Sequence, residues 1–314
     1  MATRWTENVL GSCLGLRPVE TVFVLVDEPL REAGEALCAS ARDLGAGAAR
    51  CWPLTLPDPP LALVPESLLT HVRNADVIVS LFGRLDPWAG SAPLRASIAA
   101  FRAARRGRWA FGAHIDGEAL ERELTADCAR VARTVQRIAH EIGGADEVHI
   151  ATEAGTDLQF RLGGRPVHRE TSFLTEQGAF GNLPGGEVYA APLEWSAEGK
   201  LVVDLSLGGI ALTGPLTLHF REGRVVEMSG AAAAELQRRL GDDPWARTVG
   251  EFGIGGNPFV RTRGIAALDE KALGTVHLAL GANRGFGGEN TAATHCDCVI
   301  GAPRIVLDGR PLLL

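Results

Sequence analysis

The sequence predicts an α/β domain with a parallel sheet, followed by an α+β domain. In the first part of the chain, buried-strand runs alternate with amphipathic helical stretches. Strands joined by helices in this way form parallel sheets covered by helices. After residue 145 the pattern changes to short alternating β-runs separated by Gly-rich turns, which favours antiparallel strands. We therefore place the two predicted domains at residues 1–145 and 146–314.

The elements of the first part follow from local patterns. A run such as TVFVLVDE is a buried strand, and SAPLRASIAAFRAARRG repeats apolar residues at three and four positions, as a helix does. In order, the predicted elements are the strand TVFVLVDE, the helix PLREAGEALCASARDLGA, the strand ARCWPLTL, the Pro-rich loop PDPPLALVP, the helix ESLLTHVRNA, the strand DVIVSLFG, the helix SAPLRASIAAFRAARRG, the strand RWAFGAHID and the helix LTADCARVARTVQRIAHEIGGA. The turn after the first strand, DEPLREAG, lacks the glycines of a phosphate-binding loop. A scaffold or substrate-covering role is therefore favoured for this domain.

The sequence of residues 146–314 predicts hairpins and one helix. The turns REGR and LDGR are hairpin signals, because each places a glycine between two alternating β-runs. The segment AAAELQRRLGD predicts the single interrupting helix.

Composition excludes several classes of protein. A net charge of −7 offers no basic surface for nucleic acid or an anionic membrane. No run of apolar residues is long enough to span a membrane, and the first residues have no signal-peptide pattern. The six cysteines are scattered without paired spacing, which favours free thiols. We expect a cytoplasmic protein.

The segment TAATHCDCVIG places four potential metal ligands in a row, from His295 to Cys298. Successive side chains of a strand point to opposite faces. If this segment is a strand, His295 and Asp297 share one face, and Cys296 and Cys298 share the other. The cysteines then fit an apolar core, and His-x-Asp remains as a candidate pair of metal ligands.

Three further residues could complete a metal site. His277 lies in the alternating run TVHLALG, Glu251 lies in the apolar run VGEFGIGG, and Glu187 follows Pro-Gly-Gly beside apolar residues. An ionised glutamate in apolar surroundings is costly unless a cation compensates it. Two glutamates, two histidines and one aspartate are what a pair of divalent ions requires. The spacing alone leaves a metal site and unrelated buried residues both open.

Five blocks of the sequence resemble, in order, the thermophilic metallo-aminopeptidase T family. These blocks are GTDLQFRLGGR, GNLPGGEVYAAP, VGEFGIGGNP, DEKALGTVHLALG and THCDCVIG, and the resemblance covers residues 155–314. It implies a homodimeric metallo-aminopeptidase with two metal ions, such as Zn, Co or Mn. When the family's metal ligands are transferred block by block onto this sequence, they fall on Glu187, Glu251, His277, His295 and Asp297. One of the two glutamates would bridge the metals or act as general base.

The chain departs from this family at one ligand. The family's tyrosine, seven residues after the histidine of the VHLALG block, is Arg284 here, and the only tyrosine is Tyr189. A related branch, which includes 2,5-dihydroxypyridine 5,6-dioxygenase, keeps His-x-Asp but uses one iron. In that branch the position of Glu251 resembles a histidine, and the counterpart of Glu187 is apolar. Retention of both glutamates favours hydrolytic chemistry.

Other polar residues are weaker candidates. Asp157 could orient a ligand histidine from behind or cap a turn, and Arg165 could bind a substrate carboxylate. Arg284 could donate a hydrogen bond near the metals, which would favour a substrate bearing a carboxylate, or it could face solvent. Glu270 and Lys271 are expected in a solvated turn. His149, His168 and His219 are expected to be structural.

The sequence therefore predicts a metal-dependent hydrolase that cleaves a peptide or amide bond in a small peptide or other small molecule. The first alternative is a mononuclear Fe(II) dioxygenase that opens an aromatic ring. The second is a non-catalytic binding protein that keeps the metal scaffold, suggested by the arginine that replaces the tyrosine.

Overall fold

A computed structural model describes residues 4–55, 63–85 and 91–314. Most of the predicted Pro-rich loop lies outside the described residues. The described helices are α1 (Arg4–Glu7), α2 (Arg31–Asp43), α3 (Glu66–Asn74), α4 (Ala92–Ala104), α5 (Cys128–Ile142), α6 (Ala233–Leu240) and α7 (Ala266–Asp269). Short π-helical segments occupy Asn8–Cys13 and Ala119–Glu123, and 3-10 turns occupy Glu28–Leu30 and Arg284–Phe286.

Most of the strands lie in the second half of the chain. They are β1 (Thr21–Asp27), β2 (Ala48–Leu54), β3 (Val77–Phe82), β4 (Arg108–Ala113), β5 (Glu147–Ala151), β6 (Asp157–Arg161), β7 (Val167–Glu170), β8 (Phe180–Asn182), β9 (Glu187–Ala190), β10 (Glu198–Val203), β11 (Ser206–Leu207), β12 (Leu216–Arg221), β13 (Arg224–Ser229), β14 (Val249–Gly255), β15 (Thr275–Gly281), β16 (His295–Gly301), β17 (Arg304–Leu307) and β18 (Arg310–Leu312).

The chain forms two compact units that are not contiguous in sequence. The first unit runs to Arg130 and includes Thr171–Gly185, and the second comprises Val131–Glu170 and Gly186–Leu314. Among the described residues, no helix combines the length and the apolar character needed to cross a membrane.

The first unit is built on a five-stranded parallel sheet in the order β2-β1-β3-β4-β8. Alternate residues of β1 enter two separate cores: Val24 packs in one core with Leu37 of α2, and Leu25 in the other with Leu68 of α3. Helices therefore cover both faces, which confirms the predicted α/β layer. The sequence pattern did not predict β8, the edge strand beside β4.

The second unit contains two antiparallel sheets. One has seven strands in the order β13-β12-β10-β6-β5-β17-β18, and the other has six in the order β11-β16-β15-β14-β9-β7. Every residue of β14 and β15 is buried, so polar side chains on these two central strands are held away from bulk water. The predicted α+β character of this part is confirmed.

Both predicted hairpin turns are present, and both have the same backbone geometry. Glu222 and Gly223 connect β12 to β13, and Asp308 and Gly309 connect β17 to β18. All four residues have positive φ angles, from +47° to +78°. Two-residue turns of this kind match the right-handed twist of the strands, and glycine adopts them without steric cost.

The two turn glycines differ in their surroundings, which gives a test of the fold. A Cβ at Gly223 would lie 1.7 Å from the carbonyl oxygen of Glu194, whereas nothing lies within 4 Å of a Cβ at Gly309. We expect Gly309→Ala to lower the free energy of unfolding by about 1–2 kcal/mol, the cost of a left-handed residue. Gly223→Ala should cost about 1–3 kcal/mol more, because the backbone must also move.

Urea denaturation of the two variants measures this difference. Equal midpoints for Gly223→Ala and Gly309→Ala would contradict the close approach of Gly223 to the Glu194 backbone.

Candidate metal centre

The His-x-Asp segment forms a strand with two chemically different faces. Cys296 and Cys298 of β16 are fully buried free thiols, while His295 and Asp297 alternate with them and lie on the opposite face. The structure therefore separates the four potential ligands as the alternation predicts.

The register of the six-stranded sheet brings the other candidates to the same face. Ala279 of β15 is paired with both Glu251 and Asp297 in the neighbouring strands. His277, two residues before Ala279, lies on the same face of β15. The small Ala279 side chain leaves room between the two carboxylates.

Glu251 connects the two histidines. Its Oε1 lies 3.2 Å from Nε2 of His277, and its Oε2 lies 3.3 Å from Nε2 of His295. Asp297 Oδ1 lies 3.2 Å from the same His295 nitrogen. Four of the five predicted ligands therefore place their donor atoms against one another.

A hydrogen bond at Nδ1, on the side of the ring away from the other ligands, fixes the orientation of His295. Its Nδ1 lies 2.8 Å from the carbonyl oxygen of Ala282, so Nδ1 must donate a hydrogen bond and the neutral ring keeps Nε2 as an acceptor. Metal-binding histidines commonly use this arrangement, because it selects the tautomer that leaves the other nitrogen free to coordinate. A third of the His295 side chain is exposed, so the cluster is open to solvent on this side.

The fifth predicted ligand, Glu187, is engaged by a buried lysine. Lys271 Nζ lies 2.5 Å from Glu187 Oε1, 2.8 Å from Glu270 Oε1 and 3.1 Å from Glu170 Oε2. Only 1% of Lys271 is exposed. We call Lys271 with these three glutamates the lysine cluster. It adjoins the metal centre, since the other Glu187 oxygen lies 3.7 Å from Nε2 of His277.

Buried charges control the protonation of the lysine cluster. Burial alone would lower the pKa of Lys271, but Glu170, Glu187 and Glu270 together raise it well above its usual range. The ammonium therefore stays charged, and it is a permanent cation inside the protein.

The imidazoles and Glu251 are shifted in opposite directions. Burial opposes a charged ring at His277, yet the hydrogen bond to Glu251 and the charge of Glu187 raise the pKa of His277 to about 9. Burial would raise the pKa of Glu251, but hydrogen bonds with His277 and His295 hold it well below its usual range. Protons on the imidazoles thus compensate the carboxylates, and a metal ion would compete with them for the same nitrogens.

The donor atoms present suit a divalent metal ion. One ligand atom each of Glu270, His277 and Asp297 lies within 4.8 Å of the other two. Glu187 Oε2 and His277 Nδ1 are buried without a hydrogen-bond partner among the described residues. Carboxylate oxygens and imidazole nitrogens are ligands for Fe, Mn and Zn. The residues therefore fit a metal: Glu270, His277 and Asp297 form the candidate group, and Glu251 and His295 lie beside it.

Three of the predicted site residues lie outside this cluster. Asp157 is exposed on the seven-stranded sheet, where its carboxylate lies 2.7 Å from His149 and not beside a candidate ligand. Arg165 forms a two-pronged ion pair with the buried Glu194, so it is not free to bind a substrate carboxylate. Arg284 is exposed on the 3-10 turn that follows β15. These positions correct the predicted roles of Asp157 and Arg165.

Sequence reasoning missed the lysine cluster. Glu270 and Lys271 were expected in a solvated turn, but both are buried. They directly follow α7, and Asp269 fixes the start of that helix by accepting hydrogen bonds from the backbone amides of residues 263–265. One signal was available. Of the 31 basic residues other than histidine, only Lys200 and Lys271 are lysines, so a lysine in this arginine-rich chain is unusual.

Comparison with known proteins supports both named resemblances. The family model described as "NicX: 2,5-dihydroxypyridine 5,6-dioxygenase" matches residues 103–314. A 2,5-dihydroxypyridine 5,6-dioxygenase of Pseudomonas putida KT2440 is 27% identical over 188 residues. That alignment covers 54% of this chain and 53% of the relative, so the match spans about half the length of that protein.

Two solved structures share the fold over nearly the whole chain. The 2,5-dihydroxypyridine dioxygenase from Pseudomonas putida KT2440 has a TM-score of 0.74 at 20% identity, covering 100% of this chain and 97% of that one. Wild-type AmpT from Thermus thermophilus has a TM-score of 0.73 at 20% identity, covering 99% and 97%. At this identity both likenesses concern the fold, and the aminopeptidase is not favoured over the dioxygenase. The matched family model covers about two thirds of the sequence, and the chain belongs to the 2,5-dihydroxypyridine 5,6-dioxygenase family of metal-dependent enzymes.

Proposed function

We propose that this protein is a dioxygenase that opens an electron-rich aromatic ring and uses a single Fe(II) ion. The observation that carries the proposal is the position of Lys271. Its ammonium group lies 2.5 Å from Glu187, so a charge fixed in the protein already compensates the carboxylate that a second metal would need. The family to which the chain belongs supports the same choice.

The remaining ligands match a known arrangement for iron. His277, His295 and Asp297 supply two imidazoles and one carboxylate, the set that non-haem Fe(II) oxygenases use with coordination positions left open. A bound Fe(II) ion would supply the one-electron chemistry that lets ground-state dioxygen react with a closed-shell ring, and the ring itself is the net electron donor. The exposed side of His295 gives a small molecule access to these residues.

The two carboxylates beside this set, Glu270 and Glu251, have different roles in the proposed reaction. An aromatic diol becomes more electron-rich when a hydroxyl loses its proton, so a nearby base is required. Burial raises the pKa of Glu270, with Asp297 adding to the effect and Lys271 opposing it. Glu270 is therefore a better proton acceptor than Glu251, whose low pKa makes it a weak base. Glu251 instead holds both imidazoles in place.

A two-metal hydrolase is the second candidate. Glu187 and Glu251 both lie close to His277, and a hydrolase with two ions would use both carboxylates. The hydrolase was favoured by the sequence, but the comparisons support the single-iron alternative better. The predicted homodimer, cytoplasmic location and carboxylate-bearing substrate stay predictions.

Oxygen uptake tests the proposed reaction. With Fe(II) and 2,5-dihydroxypyridine, we expect the chain to consume dioxygen, and Asp297→Asn to lower kcat/KM by at least about 100-fold, since even the partners of ligands contribute about 10–100-fold. Asp157→Asn is the matched control. Asp157 also pairs with a histidine, at 2.7 Å, but outside the centre, so activity should be kept.

A defined set of results would contradict the dioxygenase. Two metal ions per chain, hydrolysis of aminoacyl amides and no oxygen uptake with dihydroxypyridines would replace the dioxygenase with the hydrolase.

The lysine cluster gives a second prediction. Lys271→Met removes the cation beside the buried Glu187 and Glu270 and the half-buried Glu170, so the metal-free protein should lose about 3–5 kcal/mol of stability. We also expect wild type to retain one divalent ion per chain after dialysis and the variant to gain capacity for a second. Mass spectrometry of metal content and urea denaturation measure these effects.

Lys200→Met is the control, because Lys200 is the only other lysine and is half-buried away from the centre. It should change stability by no more than about 0.5 kcal/mol. Two retained ions in the wild-type chain would contradict the role given to Lys271.

Close packing of His277 against the neighbouring strand gives a third prediction. A Cβ at Gly253 of β14 would lie 2.0 Å from Cε1 and 2.2 Å from Nε2 of His277. Gly253→Ala must therefore displace this imidazole, and we expect the affinity for Fe(II) or Zn(II) to fall at least tenfold (about 1.4 kcal/mol).

Metal titration by calorimetry measures the change. Gly214→Ala serves as the control, because nothing lies within 4 Å of a Cβ at that position. An unchanged affinity in the Gly253 variant would remove His277 from the proposed ligands.

A further inference from the structure

Three aromatic side chains form a continuous surface in the second unit. His168 and Tyr189 are stacked with ring centroids 5.1 Å apart and an interplanar angle of 20°. The edge of the Phe286 ring meets Tyr189 at 5.5 Å and His168 at 6.3 Å. All three residues are half-buried, so part of each remains accessible. We call His168, Tyr189 and Phe286 the aromatic face.

The aromatic face adjoins the metal centre. Phe286 lies edge-on to His295, with ring centroids 6.2 Å apart. Along the sheet, His168 is paired with Tyr189, Tyr189 with Gly253, and Gly253 with His277. Gly253 has no side chain, so only its backbone and the imidazole of His277 occupy the space beyond Tyr189 on this row. A ring resting on the aromatic face would therefore lie beside two candidate metal ligands.

Phe286 lies on a loop that is anchored by hydrogen bonds on both sides of this residue. The buried Glu194 accepts hydrogen bonds from the Asn283 side chain at 3.0 Å and from the Glu289 backbone at 2.7 Å, one on each side of Phe286. Arg165 neutralises Glu194 through both of its terminal nitrogens. The Phe286 carbonyl oxygen lies 3.0 Å from His168 Nε2. The loop thus presents Phe286 rigidly, and Arg165 contributes to the centre by anchoring this loop.

A rigid, half-exposed aromatic surface beside polar metal ligands suits one class of ligand. Aromatic pairs gain about 0.5–1.5 kcal/mol beyond the burial of area when their rings are edge-to-face or offset. Saturated rings and peptide backbones do not gain this term. A planar ring would be oriented by the aromatic face and would direct its polar substituents towards His277 and His295.

We propose that the aromatic face is a binding surface for the planar ring of the substrate, with Phe286 as its central contact. The proposal rests on the proposed function and specifies how that site selects aromatic over saturated molecules. Tyr189 and His168 support the ring of Phe286 and extend the surface away from the metal ligands.

Binding measured without turnover tests the proposal. The full chain is loaded with redox-inert Zn(II) and titrated calorimetrically, under nitrogen, with 2,5-dihydroxypyridine, hydroquinone and cyclohexane-1,4-diol. Hydroquinone and cyclohexane-1,4-diol differ in aromaticity but carry the same two hydroxyls. We expect both aromatic compounds to bind at least tenfold more tightly than the saturated diol.

Phe286→Leu keeps an apolar side chain but removes the ring. It should weaken binding of both aromatic compounds at least tenfold and leave the saturated diol unchanged. Trp195→Leu is the control, since Trp195 is a half-exposed ring that packs on Trp245 and Arg224 in the same unit. It should change no affinity by more than twofold. Zinc content and the thermal unfolding midpoint establish that each variant is folded.

Three results would show that the aromatic face does not bind the ring. Equal wild-type affinities for hydroquinone and cyclohexane-1,4-diol, no measurable binding of either aromatic compound, or an unaffected Phe286→Leu variant would overturn the aromatic face. If Phe286→Leu does not fold, the wild-type comparison and Tyr189→Leu decide by the same criteria. Aromatic binding that depends on Phe286, without oxygen uptake by the Fe(II)-loaded chain, would remove the proposed reaction but keep this binding surface.

Discussion

The crowding of five carboxylates in the second unit, three buried and two half-buried, is the constraint on which the rest of the centre depends. Glu170, Glu187, Glu251, Glu270 and Asp297 lie within ion-pair distance of one ammonium group and two imidazoles. Even with both imidazoles protonated, the negative charges outnumber the positive ones. Isolated charges in a protein interior are too costly to persist. Burial raises the pKa of Glu187 and of Glu270, so protons offset part of this excess, and the remaining negative charge favours binding of a cation.

Lys271 divides this group of carboxylates into two regions. On one side the ammonium satisfies three glutamates by direct contact. On the other side Glu251 and Asp297 are compensated by histidines, which exchange protons for metal readily. A lysine is a fixed charge near neutral pH, whereas a metal site can be filled or emptied. In the proposed single-iron centre, Lys271 thus determines which carboxylates remain available to the metal.

Sequence patterns predicted the parts of this structure that depend on neighbouring residues along the chain. The alternation from His295 to Cys298 and the parallel sheet of the first unit follow from residue periods along the chain, and the two hairpin turns follow from the Glu-Gly and Asp-Gly pairs. The lysine cluster could not be found in this way, because Glu170, Glu187 and Lys271 come from three distant segments. A dense run of charged residues such as Asp269 to Lys271 indicates a wet surface unless the partners are known.

The edge strand β8 has a consequence for the order in which the protein folds. This strand belongs to a segment of the first unit that lies between two stretches of the second, and its Phe180 packs on Trp109 and Phe111. During synthesis, the free edge of β4 stays unpaired until residues 180–182 have left the ribosome. Exposed edges of parallel sheets are sites of misassociation between chains. The edge of β4 in the nascent protein is therefore open to pairing with another chain until β8 is available to cover it.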